Sequence, residues 1–196
     1  MDNLISNQLS TIIQSNIDVK HAILKDKALL KEIEKVVSVF YQALKAGNKI
    51  LFCGNGGSAA DAQHLAAELS GRFYFNREPL PAEALHCNTS YLTAVGNDYG
   101  FQFIYSRLLK GQGKKGDVLV GLSTSGNSEN IINAFLTAKE MGITTLAMTG
   151  KLGGKLKETA DYLINIPSVD TPRIQETHIL IGHIICQIVE EKIFHS

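Results

Sequence analysis

The chain has 196 residues, enough for one domain with a full core. Its 19 Lys and Arg balance 19 Asp and Glu, so no global field favours nucleic acid or an anionic membrane. Three scattered cysteines, Cys53, Cys87 and Cys186, argue against a disulfide framework. Cys53 and Cys186 lie in apolar runs and read as ordinary buried thiols. No apolar run approaches the roughly 18 residues of a membrane helix. The opening MDNLISNQLSTIIQSNIDVK has neither the basic start nor the apolar segment of a signal peptide. The expectation is a soluble cytoplasmic protein with no nucleic-acid or membrane partner.

In chain order, residues 4–46 read as two helices broken near Lys25–Asp26. The second places Leu29, Leu30, Ile33, Val36, Val37, Phe40 and Leu44 at helical spacing and stops at AGN. The texture changes from Lys49. KILFC, AEALHC, DVLVGL, TTLAM and DYLINI are short, mostly apolar runs that predict five strands. Helical stretches fall between them at 58–70, 89–109 (with a glycine-containing break), 128–141 and 155–159, and a long final helix is predicted from Arg173 to Phe194. Runs apolar on both faces, alternating with helices, predict a mainly parallel five-stranded sheet covered on both sides. That is a three-layer α/β/α domain over 1–196. Residues 1–46 supply N-terminal helices, and 47–196 the α/β core and C-terminal helix.

In such a sheet, ligands bind beyond the carboxyl ends of the strands. Two loops sit there: GNGGSAADAQHLAAEL after the first strand and GLSTSGNSENII after the third. The second carries four hydroxyls, Ser123, Thr124, Ser125 and Ser128, around Gly126. A helix N-terminus presents unpaired N–H groups and partial positive charge, so it attracts phosphate. Small hydroxyls add donors, and glycine lets the backbone approach closely. Capping the next helix needs one such residue, not four. A phosphate or sugar-phosphate cradle is the expectation, and with no Lys or Arg in the loop, neutral donors must carry the anion.

In the first loop, Gly54, Gly56 and Ala59 fit G-x-G-x-x-G/A, but ALHCNTS offers His86 and Asn88 where a dinucleotide site needs an acidic residue. GKLGGKL lacks the spacing and the Ser/Thr of a P-loop. Nucleotide binding is not expected. His64 and Glu68, four apart, share a helix face. RIQETHILIGHII sets Gln175, His178 and His183 among apolar residues, where a lone histidine is ordinarily a satisfied core residue. Imidazole and carboxylate suit both zinc and proton transfer.

CGNGGSAADAQHLAAELSGR, AVGNDYGF, GLSTSGNSENI, MTGKLGGK and RIQETHILIGHI, in that order, resemble the phosphoheptose isomerases of the sugar isomerase (SIS) domain superfamily. The resemblance spans essentially the whole chain. It implies conversion of sedoheptulose 7-phosphate to D-glycero-D-manno-heptose 7-phosphate, a step towards nucleotide-activated heptoses of bacterial surface polysaccharides. It also implies a flavodoxin-like sheet and a homotetramer with active sites at subunit interfaces. Substrate contacts map onto Asn55, Gly56, Gly57, Glu68, Asn97, Asp98, Ser123, Thr124, Ser125, Ser128 and Gln175. The acid/base pair corresponds to Glu68 and His183, and one zinc per subunit to His64, Glu68, Gln175 and His183. All these positions match.

Gln175 and His183 are eight residues apart, a rise of roughly 12 Å on a straight helix, too far for both to reach one ion. Either Gln175 precedes the regular helix or the site combines chains; the second is the expectation. The principal rival is a non-enzymatic SIS-domain protein similar to the one that associates with the replication initiator DnaA. That relative keeps the sugar-phosphate loops but lacks residues corresponding to Glu68 and His183. Isomerases of arabinose phosphate and of aminosugars resemble this chain less, because they carry a further regulatory domain or paired SIS domains. Arg72, His86, His195, Asp61 and Glu176 receive no role.

Overall fold

The computed structural model describes residues 2–195. Helix α1 (Asp2–Lys25) gives way to α2 (Lys27–Lys45) at Asp26, whose carboxylate accepts from the Ala28 and Leu29 N–H groups at 3.0 Å. This N-cap explains a break that periodicity alone places there. The remaining elements are β1 (Ile50–Gly54), α3 (Gly57–Ser70), β2 (Ala82–Ala84), α4 (Thr89–Tyr99), a 3-10 turn over Phe101–Phe103, α5 (Ile104–Gln112), β3 (Val118–Ser123), α6 (Glu129–Glu140), β4 (Thr144–Thr149), α7 (Leu156–Thr159), β5 (Tyr162–Asn165) and α8 (Thr171–Phe194).

All five strands are parallel, in the order β2-β1-β3-β4-β5. Phe52, Val120 and Leu146 stand in register and point to one face, where α2, α3 and α8 bury Phe40, Leu65 and Ile185 against them. Leu51, Leu119 and Ala147, one residue earlier or later, point to the other face under Tyr105, Leu109, Ile131 and Phe135. A strand buried on both faces has no polar side, which is why these segments read as continuous apolar runs.

The α/β/α expectation is met. Two boundaries differ in ways that bear on function. The second strand ends at Ala84, so His86 falls in the turn beyond it. Helix α8 begins at Thr171 rather than Arg173, because Pro172 fits a first helical turn where its missing N–H costs nothing. Gln175 therefore lies inside the regular helix. The chain leaves β1 for β2 in one direction and β3 for β4 in the other, so the two candidate loops emerge side by side at the topological switch point.

Candidate active site

Helices α3 and α8 lie side by side on one face of the sheet, brought close by Gly182: a Cβ there would stand 2.6 Å from a Leu65 methyl. On α3, the i, i+4 pair closes as expected, with His64 Nε2 3.0 Å from Glu68 Oε1. Across the groove, His183 Nε2 on α8 stands 2.9 Å from His64 Nε2. Ligand atoms of His64, Glu68 and His183 all lie within 4.8 Å of one another. His64 is exposed, and Glu68 and His183 are half-buried, so the cluster opens to the surface of the chain. Burial, reinforced by the neighbouring His64 and partly offset by Glu68, lowers the pKa of His183. At neutral pH its ring is an unprotonated imidazole, able to accept a proton or a metal ion.

The cluster is braced from below. Glu190 of α8 is fully buried, and its carboxylate accepts from the Phe73, Tyr74 and Phe75 N–H groups at 3.0, 2.7 and 3.2 Å and from Arg77 Nε at 2.7 Å. Arg77 in turn donates to the Glu68 and Leu69 carbonyls at 2.9 and 2.8 Å, using acceptors left open where α3 ends. The segment thus stapled lays Phe73 on His183, with ring centroids 5.6 Å apart. Sequence reasoning passed over Arg77 and Glu190, since a charged residue in an apolar helix declares no partner until the fold supplies one.

Gln175 sits elsewhere on α8, at the start of α3. Its amide packs on Gly57, where a Cβ would come within 2.6 Å of Nε2, and it reaches Ser58 Oγ at 3.5 Å. Within this chain, the His64–Glu68–His183 group forms without it. Asn55 exchanges two amide hydrogen bonds with Asn130 in the first turn of α6, at 3.0 and 2.8 Å, which tie the first loop to the second. Asn130 is a further residue the sequence did not single out; nothing distinguishes it from any helix-start asparagine.

Ser123 Oγ and Ser128 Oγ are 2.9 Å apart. The hydroxyl loop is also fused to residues 150–156: Gly150 N–H donates to the Thr124 carbonyl (3.0 Å), Lys155 N–H to Asn127 Oδ1 (3.1 Å) and Leu156 N–H to the Gly126 carbonyl (3.0 Å). Gly126, at φ +68°, has no room for a Cβ, which would collide with the Gly153 carbonyl. Thr124 and Ser125 face an open cavity of about 230 Å³ shared with Lys151, Ser168 and Thr171. Neutral donors are therefore not alone: the fold brings a lysine to the loop that contains none.

Asn97 and Asp98 are exposed on α4 and bond each other at 2.9 Å; among the described residues no hydrogen bond joins them to the cluster. Arg72 is exposed. Asp61 is half-buried with Oδ2 unpartnered, and burial raises its pKa against the opposing pull of His64. Glu176 pairs with Arg173 at 2.7 Å, and the His195 ring lies 4.0 Å from that of Phe75. Cys53 and Cys186 are buried, and burial pushes the Cys186 thiol up to about 12.

The model of the SIS domain matches residues 16–150. A phosphoheptose isomerase of Aneurinibacillus thermoaerophilus is 53% identical over 191 residues, 97% of this chain and 96% of the relative. The chain belongs to the phosphoheptose isomerase family of SIS-domain proteins. Another member, from Clostridium acetobutylicum, is 53% identical over 188 residues, 96% of each chain. The solved structure of the phosphoheptose isomerase of Neisseria gonorrhoeae superposes with a TM-score of 0.90 at 42% identity, covering 95% of this chain and 99% of that one. The family resemblance read from the motifs holds. No helix among the described residues is long and apolar enough to cross a membrane.

The cluster also fits a metal ion. Two imidazole nitrogens and a carboxylate oxygen converge from two helices, a borderline-soft donor set of the kind zinc takes.

Proposed function

We propose that this chain is an aldose–ketose isomerase that converts sedoheptulose 7-phosphate to D-glycero-D-manno-heptose 7-phosphate through an enediolate. The observation that carries the reading is the convergence of Glu68 and His183 across the groove between α3 and α8, in a chain of this family. Moving a carbonyl from C2 to C1 needs a base for the C1 proton, a route to return it to C2, and a proton shuttle between the two oxygens. Glu68 takes the carbon-bound proton and returns it. His183, neutral at working pH, accepts the proton of one oxygen and delivers it to the other. Ser123, Thr124, Ser125 and Ser128 hold the phosphate end, while Asn55, Gly56, Gly57, Asn97, Asp98 and Gln175 contact the sugar. A non-enzymatic role similar to the initiator-associating relative is not favoured, since both acid/base positions are filled and face one another.

His64, Glu68 and His183 would hold one zinc per subunit, with Gln175 as a further ligand. When bound, zinc would polarise the carbonyl and stabilise enediolate charge. Gln175 lies eight helical residues from His183, so its share of that role falls to the Gln175 of a second chain. A homotetramer with sites at subunit interfaces accommodates this, with residues 1–46 serving assembly. Exposed Ile5, Leu9, Ile12, Ile13 and Ile17 give α1 an apolar face suited to a second copy. We place the enzyme in the cytoplasm, with its product passing towards nucleotide-activated heptose for surface polysaccharide such as lipopolysaccharide.

The deciding experiment is turnover of sedoheptulose 7-phosphate by wild type, Glu68→Gln and His183→Gln, each metal-stripped and zinc-restored. Turnover by wild type alone is expected. A folded, zinc-loaded oligomer without turnover overturns the reading, and full activity in a proven monomer overturns the shared site.

A further inference from the structure

A phosphate monoester brings nearly two negative charges to a loop that has no cation of its own. The cavity beside that loop has one. Its polar wall is made by Thr124, Ser125, Asn127, Ser168, Thr171 and Lys151, and no carboxylate lines it; Asp170 lies between two lining residues without joining them. Its volume is about 230 Å³. Ile174, the residue before Gln175 on α8, also lines it, so the cavity reaches the helix that carries His183.

Lys151 is anchored by its backbone and free at its tip. Its N–H donates to the Ser168 carbonyl at 3.0 Å, its own carbonyl accepts from Asn165 Nδ2 at 3.3 Å, and the preceding Gly150 N–H binds the Thr124 carbonyl. Among the described residues its ammonium makes no hydrogen bond or ion pair, whereas Lys49 is held by Asp117 at 2.7 Å and Lys35 by Glu32 at 2.8 Å. The glycines after it explain how it arrives there. Gly153 and Gly154 adopt φ of +74° and +54°, and a Cβ on Gly154 would strike Gly126 and the Ser125 carbonyl. GKLGGK is thus the second half of the hydroxyl loop, folded against it backbone to backbone.

We propose that Lys151 completes the phosphate site: its ammonium pairs with the phosphate monoester while the Thr124 and Ser125 hydroxyls donate to the remaining oxygens. A lysine acts here as a point charge and leaves orientation to the neutral donors. The inference rests on the isomerase reading above, which it extends to the group that selects phosphorylated sugars over free ones.

The test is binding of inorganic phosphate to the full-length, zinc-loaded protein by titration calorimetry, alongside kinetics with sedoheptulose 7-phosphate, for wild type, Lys151→Met and Lys151→Arg. Phosphate should bind Lys151→Met roughly 10- to 100-fold more weakly, the worth of one charge-assisted hydrogen bond. KM should rise by a similar factor with kcat little changed, as expected when binding is lost equally from ground and transition states. Lys151→Arg should recover most of the affinity. Equal phosphate affinity in wild type and Lys151→Met, or no phosphate binding by wild type, overturns the inference. Phosphate binding that depends on Lys151 in a protein that does not isomerise the heptulose leaves this contact standing and removes the isomerase reading instead.

Discussion

His178 and His183 stand five residues apart on α8, about 140° around the helix, and face different neighbours. His178 is wholly buried against the sheet, with Nε2 3.3 Å from the Thr149 carbonyl and Nδ1 left without a partner. Burial, against the small opposing pull of that carbonyl, holds its pKa down at about 4. His183 looks across a groove at a second imidazole and a carboxylate and stays partly open to solvent. One helix therefore carries a histidine whose charge the fold forbids and one whose chemistry it exposes. Residue type does not separate them; what lies across the interface does.

The sharpest break between the two comes from substitution at His183. His183→Gln should lower kcat roughly 10²- to 10⁴-fold, the usual worth of a general acid/base, while thermal unfolding stays near wild type. Loss of the fold along with the activity would make His183 a structural residue like His178. The next largest effect is expected at the far end of the same helix. Glu190→Gln strands Arg77, whose side chain is 2% exposed, and should cost about 3–5 kcal/mol in urea unfolding. A cost under 1 kcal/mol would show that the Phe73–Phe75 segment is held by packing alone.

Acid should then separate the histidines by stability. The folded pKa of His178 lies below its unfolded value of 6.5, so the unfolded state binds more protons in between. Stability is intact above pH 6.5 and is lost as the pH falls towards 4, by about 3 kcal/mol from this group. His183, also lowered, contributes with the same sign. Comparing wild type with His178→Gln across this window isolates the buried ring; identical slopes would show that His178 protonates in the native state without penalty. The smallest effect is at Gly182. An alanine there must push aside buried Leu65, and should cost about 1–3 kcal/mol while widening the His64–His183 gap and weakening zinc binding. Unchanged zinc affinity would mean that the helix spacing does not tune the cluster.

Much of this molecule is legible one residue at a time. The α1–α2 break at Asp26, the five apolar strand segments and the pairing of His64 with Glu68 follow from capping, two-sided burial and helical spacing, all of which act within a few residues. The family motifs extend this to Glu68 and His183, the positions proposed above as the acid/base pair. Less legible were contacts between segments far apart in the chain. Asn130 bonds Asn55 across 75 residues, and Glu190 holds Phe73 across 117. Neither partner has a local pattern that would announce the other.

Propensity, periodicity and side-chain chemistry are local properties, so the residues alone specify the elements, the two loops at the carboxyl edge and the kind of chemistry available there. Tertiary structure alone decided which histidine of α8 meets His64, that Gln175 stands at the other end of α3, and that GKLGGK closes against GLSTSGNS to bring Lys151 to its hydroxyls. These depend on how closely two helices or two loops can approach, and that distance is set by glycines and buried side chains contributed from opposite ends of the chain.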